Sequence, residues 1–299
     1  AVLNTKPVLR RKHSIMLTML MYHRILPQEH PEAVSVPMFR RQLDYLQRHY
    51  QILAPEEVLD YVHGRLRDAP RPYAALSFDD GWLDNWLFAT EILKARGLRA
   101  TLAMSAGYLY EGAVRKTESD EILNLRMGEA QKRAAAGDLR SYVNISELKA
   151  MQDSGVWRIE AHGTRHVKGS LGVSALAMPQ DGEPAEAFRE MLKEDIGGCC
   201  EKLEAITGCK PQMFFWPWGH YTADALDAVS ELGLIQFTVA KGTIQAGDNR
   251  KVLPRLGVSP RWKKFRKNCF VFRHPLLAAI HDMFHTERVC FDGFRGDSK

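Results

Sequence analysis

The sequence predicts an α/β fold: a single distorted (β/α) barrel with seven or eight parallel strands. Three observations carry this expectation. Short apolar runs recur along the chain with little polar alternation, as strands covered on both faces do. Amphipathic helical stretches separate them, and most stop at a glycine. The length of 299 residues suits one barrel-sized domain. A doubly wound open sheet is the second choice for the same alternation.

The elements follow in order. A strand is read over 15–22 and a helix over 37–49, where Pro37 opens the first turn and Phe39, Leu43 and Leu46 share one face. A strand at 50–53 leads to a helix at 55–62. The run 73–78 reads as a buried strand. A helix at 82–95 stops before Gly97, and a strand follows at 100–104. Residues 110–140 are polar, Ala-rich at 134–136, and read as an inserted helical excursion over the barrel top. A helix at 146–153 starts on Ser146 and precedes a strand at 157–161. Residues 171–184 hold several Gly and Pro and read as a loop or lid. A helix at 185–206, a strand at 213–216, a helix at 223–232 and strands at 235–239 and 252–258 complete the repeat. The barrel domain is placed at 1–260, with 261–299 as a basic, aromatic tail that turns helical at 275–284.

Hydrophobic residues at 45% and charged residues at 26% are ordinary for a soluble globular protein. The net charge of +5 is modest, and no zinc-finger, basic-zipper or RNA-binding signature is present, so no nucleic-acid partner is expected. Basic residues cluster as Arg10-Arg11-Lys12 and within Arg261-Trp262-Lys263-Lys264-Phe265-Arg266-Lys267. Such runs are either solvated faces or attraction points for an anionic glycan or membrane surface. Peripheral membrane contact through the C-terminal tail is therefore an expectation. Five cysteines, two of them adjacent (Cys199 and Cys200), do not form a disulfide framework, which favours a reducing compartment. The apolar run from Ile15 is too short to span a bilayer and lacks a cleavage site behind it. A bacterial cytoplasmic or inner-membrane-peripheral location is favoured. The opening Ala1 leaves an exported form open.

The chemistry begins at Ser77-Phe78-Asp79-Asp80-Gly81. Two acids at the end of an inner strand must be paired or must bind a metal, because an uncompensated buried charge is costly. Farther on, His162-Gly-Thr-Arg-His166 holds two histidines with three residues between them. Asp, His and His are a usual set for a catalytic divalent metal with one position open. Pro217-Trp218-Gly219-His220-Tyr221 follows another strand, and His23 follows the first. Four strands thus deliver reactive or aromatic residues to the C-terminal face, where barrel enzymes keep their chemistry.

These stretches resemble a known family. Ser77-Phe78-Asp79-Asp80-Gly81 resembles the Thr/Ser-Phe-Asp-Asp-Gly motif of NodB-type polysaccharide deacetylases, and His162 to His166 resembles their second motif. Phe215-Trp216-Pro217-Trp218-Gly219 resembles the third, usually Arg-Pro-Pro-Tyr-Gly. Met21-Tyr22-His23-Arg24-Ile25 resembles the opening of the subgroup that contains poly-N-acetylglucosamine deacetylases. The resemblance implies an N-acetylated glycan or glycolipid as substrate. It implies a divalent metal, most often zinc, on Asp80, His162 and His166, with Asp79 as general base. Trp218, Pro217 and Tyr221 would line the substrate side. The departing amine needs a general acid. The usual last-strand His is missing, and His23 on the first strand takes that place, with His281 and His285 as further candidates. Phe215 stands where the family has the arginine that orients the base, and Arg255 or Arg165 is the replacement. Two other readings share these residues: hydrolysis of another small acyl amide such as a formamide, and a non-catalytic glycan-binding barrel.

Overall fold

The structure, a computed structural model, describes residues 15–66, 69–169, 172–180, 182–284 and 290–291. Arg10, Arg11, Lys12 and His285 lie outside them, as do parts of the 171–184 loop. In chain order the elements are β1 (Leu17–Tyr22), β2 (Ile25–Leu26), β3 (Val34–Ser35), α1 (Val36–His49), β4 (Gln51–Ile52), α2 (Pro55–Val62) and β5 (Tyr73–Asp80). Then come α3 (Thr90–Lys94), β6 (Ala100–Met104), α4 (Asp120–Leu123), α5 (Met127–Ala135), α6 (Ile145–Asp153), β7 (Trp157–Ala161) and α7 (Ala185–Thr207). The chain continues with β8 (Met213–Phe215), β9 (Tyr221–Thr222), α8 (Ala223–Ser230), β10 (Ile235–Phe237), β11 (Val252–Leu253) and β12 (Leu256–Gly257). It closes with α9 (Trp262–Arg273), α10 (Pro275–Phe284) and β13 (Cys290–Phe291).

The main sheet runs β11-β10-β8-β7-β6-β5-β1-β12, with β4 beside the start of β5, and its pairings are parallel. β11 and β12 are two halves of one extended segment. Pro254-Arg255 interrupts it, because proline has no N–H to give a ladder. One half pairs with β10 and the other with β1, so this segment brings the two edges of the sheet together. The result is the distorted (β/α) barrel, with its last strand broken where the sequence reads as continuous.

Strand parity organises the core. Leu17, Met19, Tyr73, Ala75, Met213, Phe215, Phe237 and Leu253 form one cluster inside the barrel. Leu20, Tyr22, Leu76 and Phe78 belong to a second, which includes Phe39, Leu43 and Leu46 of α1. Successive side chains of a strand point to opposite faces. On β5 this places Tyr73, Ala75, Ser77 and Asp79 toward the barrel interior. All eight residues of β5 are buried.

Two segments depart from the sequence reading. The helix expected over 82–95 is interrupted near its start by a π-helical turn, Asn85–Ala89, and runs on as a regular α-helix from Thr90 to Lys94. Asp84 is held back by Arg24, which donates to it at 2.9 Å, and by the Ile25 N–H at 2.8 Å. Residues 262–273, read as a basic stretch without helix, form α9. Phe265, Cys269 and Phe272 recur at helical spacing and are buried.

Candidate metal centre

β5 delivers both acids to the C-terminal end of the sheet. Asp79 continues the inward parity and sits beside the barrel axis. Asp80 breaks it: its φ is +76°, in the left-handed region a side chain seldom adopts. Gly81 follows with φ +84°, a backbone conformation that glycine adopts without a Cβ penalty. Trp218 is the other described non-glycine residue with positive φ, at +54°. Backbone strain therefore falls at two points, and both are in this site.

Asp80 Oδ1 lies 3.2 Å from His162 Nε2 and 3.2 Å from His166 Nε2. All three residues are buried, and one ligand atom from each lies within 4.8 Å of the others. The far ring nitrogens are already committed. His162 Nδ1 donates to Phe215 O at 2.7 Å, and His166 Nδ1 pairs with Tyr108 Oη at 3.2 Å. His162 thus keeps a proton on Nδ1, and both Nε2 atoms point at the same carboxylate oxygen. One carboxylate oxygen and two imidazole nitrogens that converge on one point can trade any shared proton for a cation, so the donor set fits a divalent metal of the zinc type. Burial pushes the Asp80 carboxyl up, but the imidazoles outweigh it and hold the group well below the ordinary carboxylate range. Trp82 Nε1 donates to Asp80 Oδ2 at 3.0 Å and fixes the carboxylate's orientation.

Asp195 on α7 anchors the histidine loop. Its carboxylate accepts from the N–H of Thr164 at 2.7 Å and of Arg165 at 3.1 Å, and its Oδ2 forms an ion pair with Arg165 Nε at 3.5 Å. The Arg165 guanidinium is thus committed to Asp195. Arg255 is the arginine at the base. It is fully buried and forks onto Asp79, Nη1 to Oδ1 at 2.7 Å and Nη2 to Oδ2 at 2.8 Å. Its Nε donates to Thr238 O and its Nη1 to Ser77 Oγ. Its guanidinium lies 4.7 Å from the Phe215 ring centroid. Phe215 stands where the resembled motif has arginine, and its ring packs against the guanidinium that comes from the broken last strand instead. Burial raises the Asp79 carboxyl, but the charge and hydrogen bonds of Arg255 outweigh it and the net shift is downward.

His23, at the end of β1, is half-buried and close enough for its charge to act on both carboxylates. Its carbonyl accepts from Asn85 Nδ2 at 3.0 Å. Trp218 is half-buried, 4.2 Å between ring centroids from His166, with Lys168 Nζ 5.3 Å from its ring. Pro217 is buried in the same turn, and the Tyr221 ring lies 6.1 Å from that of Trp216. His281 lies on α10, where its ring packs 4.9 Å from Phe272, apart from this cluster.

Residues 67–237 match the family described as polysaccharide deacetylase. The chain belongs to this family. As a polysaccharide deacetylase it is a hydrolase of the carbohydrate de-N-acetylase type. Solved structures share its fold. IcaB from Ammonifex degensii is 24% identical, with a TM-score of 0.66 over 83% of this chain and 93% of that one. A de-N-acetylase from Aggregatibacter actinomycetemcomitans is 19% identical, with a TM-score of 0.68 over 85% and 99%. The deacetylase domain of BpsB from Bordetella bronchiseptica is 17% identical, with a TM-score of 0.62 over 82% and 96%. No curated protein matches the chain by sequence.

Sequence reasoning missed three supports of this deacetylase site. Trp82 reads as core, and it is fully buried, but its position two residues after Asp80 is what lets the indole reach back. Tyr108 and Asp195 carry no local signal, since each meets the site only through the fold.

Proposed function

We propose that this deacetylase uses a divalent metal on Asp80, His162 and His166 to remove N-acetyl groups from an N-acetylated amino sugar in a polysaccharide or lipid-linked glycan. The observation that carries the reading is the division of labour between adjacent acids. Asp80 faces two imidazoles, while Asp79 is excluded from that cluster and clamped by Arg255.

A zinc-type ion, when bound, supplies polarisation of the acyl carbonyl and acidification of water. Asp79 takes the proton from the attacking water. Arg255 keeps Asp79 ionised and immobile, and each carboxylate oxygen retains a second lone pair for that proton. A carboxylate held below its ordinary pKa is a weak base, which fits acidified water and does not fit bulk water. His23 protonates the departing amine, which cannot leave as an anion near neutral pH. Trp218 offers an aromatic face to the C–H face of a sugar ring beside the ligands. Positioned acid–base groups of this kind contribute typically about 10²–10⁴-fold each.

The test is acetate release from N-acetylglucosamine oligomers by protein as purified, after chelation, and after return of zinc. Loss on chelation and recovery on return are expected. Undiminished acetate release after complete metal removal would contradict the metal role. Formate released from an N-formyl analogue with no acetate from the N-acetyl one would move the reading to another acyl group.

A further inference from the structure

The flank built by α1 and α9 carries positive charge that the fold leaves unpaired. α9 buries Phe265, Cys269 and Phe272, and Tyr50 Oη donates to Cys269 O at 2.6 Å. Lys263, Arg266, Lys267, Phe270 and Arg273 recur at i, i+3, i+4, i+7 and i+10, which puts them together on another face of the helix. A groove of about 730 Å³ between α9 and α1 is lined by these residues with Arg48 and His49, and by no carboxylate. None of Arg48, Lys263, Lys264, Arg266, Lys267 and Arg273 has an ion-pair partner among the described residues. Lys263 and Lys264 stand in the first turn of α9, which holds no acid. Cations there oppose the helix dipole, so folding gains nothing from the placement.

Exposed apolar side chains occur on α9 and α10. Phe270 is 47% exposed, Leu276 72% and Ile280 43%. Leu276 and Ile280 are four apart on α10 and share a face. A soluble polyanion is held by cations alone. Exposed aliphatic and aromatic groups beside cations gain free energy only where hydrocarbon is available to receive them. No described helix is long and apolar enough to cross a membrane, so contact through this face would be at the surface.

We propose that the α9–α10 face docks on an anionic lipid bilayer, with Lys263, Arg266, Lys267 and Arg273 on headgroup phosphates and Phe270, Leu276 and Ile280 at the acyl boundary. Ala278 and Ala279 of α10 line a cavity with Met16 and Gly247, at the N-terminal ends of the strands. The Asp79–Asp80 end therefore faces away from α10. On the deacetylase reading, which this consequence rests on, the favoured substrate is a glycan standing off from the membrane, not a sugar at headgroup level.

The test is co-sedimentation of the full chain with vesicles of phosphatidylcholine alone or mixed with phosphatidylglycerol. Binding only to the mixed vesicles, weakened by salt, is expected. The triple variant Lys263→Glu, Arg266→Glu, Lys267→Glu should lose about a hundredfold or more, at about fivefold per cation. Leu276→Ser with Ile280→Ser should also weaken vesicle binding, while acetate release from a soluble oligomer stays as in wild type for every variant. Equal binding to neutral vesicles, or an unaffected triple variant, would overturn the proposal. Vesicle binding that survives the serine pair, matched by equal affinity for soluble polyphosphate, would make the face a polyanion site instead. A dimer that the serine pair dissociates would make a second copy the occupant.

Discussion

Two buried arginine–aspartate pairs stand at the same end of this barrel, and they are built differently. Arg255 turns its whole fork on Asp79, one nitrogen to each oxygen, at 2.7 and 2.8 Å. Arg24 gives only Nε to Asp84, at 2.9 Å, and spends its other nitrogens on the carbonyls of Leu123 and Leu125. Asp84 in turn accepts from the Ile25 N–H. The electrostatic outcome diverges accordingly. Burial raises the Asp84 carboxyl more than Arg24 lowers it, so its net shift is upward, opposite to that of Asp79. A guanidinium aimed wholly at one carboxylate holds a charge ready for chemistry. A guanidinium divided among backbone carbonyls holds chain, here the 110–140 excursion against the end of β1.

The largest expected effects come from breaking each pair. Arg255→Met and Arg24→Met should each destabilise by about 3–5 kcal/mol, because each leaves a buried carboxylate without its cation. Urea unfolding measures this. Only Arg255→Met should abolish turnover in the protein that remains folded. In the milder Arg255→Lys, the charge stays but the two-point clamp is lost. Residual activity there should fail at a higher pH than in wild type, as Asp79 loses part of what holds it ionised. Equal loss of turnover in both methionine variants would erase the distinction between the pairs.

The pH dependence of stability sharpens the same contrast through sign. Asp79 has a depressed folded-state pKa, so the unfolded chain binds its proton more readily. Its contribution is fully present above the ordinary carboxylate range and is lost as pH falls through the folded value. Asp84 has a raised folded-state pKa, so its contribution falls as pH rises through and above the ordinary range. Unfolding free energies of Asp79→Asn and Asp84→Asn across acid pH should therefore differ from wild type with slopes of opposite sign. Slopes of the same sign would show that Arg24 holds its carboxylate as Arg255 does.

Much of this was legible before the fold was in view. The alternation of apolar runs and helices announced the barrel, and the likeness of Ser77 to Gly81 to the family motif already implied different roles for Asp79 and Asp80. The His162 and His166 pair needed only its spacing. What was not legible depends on contacts distant in sequence. Arg255 and Arg165 were equal candidates until Asp195, on a helix some way down the chain, was found holding Arg165. The break at Pro254-Arg255 was written in the proline, but its consequence, an arginine delivered to the base from between two half-strands, needs both edges of the sheet. α9 was missed because its lysines and arginines mask the spacing of Phe265, Cys269 and Phe272.

A smaller effect tests the support of the metal centre. Trp82→Phe removes the indole donor to Asp80 Oδ2, and zinc affinity should fall about 10–100-fold. Competition with a chromogenic chelator measures it. Unchanged affinity would leave Trp82 as packing against Tyr142, whose ring lies 4.7 Å away.

The separation of the adjacent acids is tested most directly by measuring metal content and acetate release side by side in wild type, Asp79→Asn and Asp80→Ala. Wild type should hold one divalent metal per chain, on one set of ligands. Asp79→Asn should keep the metal and lose turnover by about 10²–10⁴-fold, while Asp80→Ala should lose both. Turnover that survives in Asp79→Asn, or metal that survives in Asp80→Ala, would contradict the account.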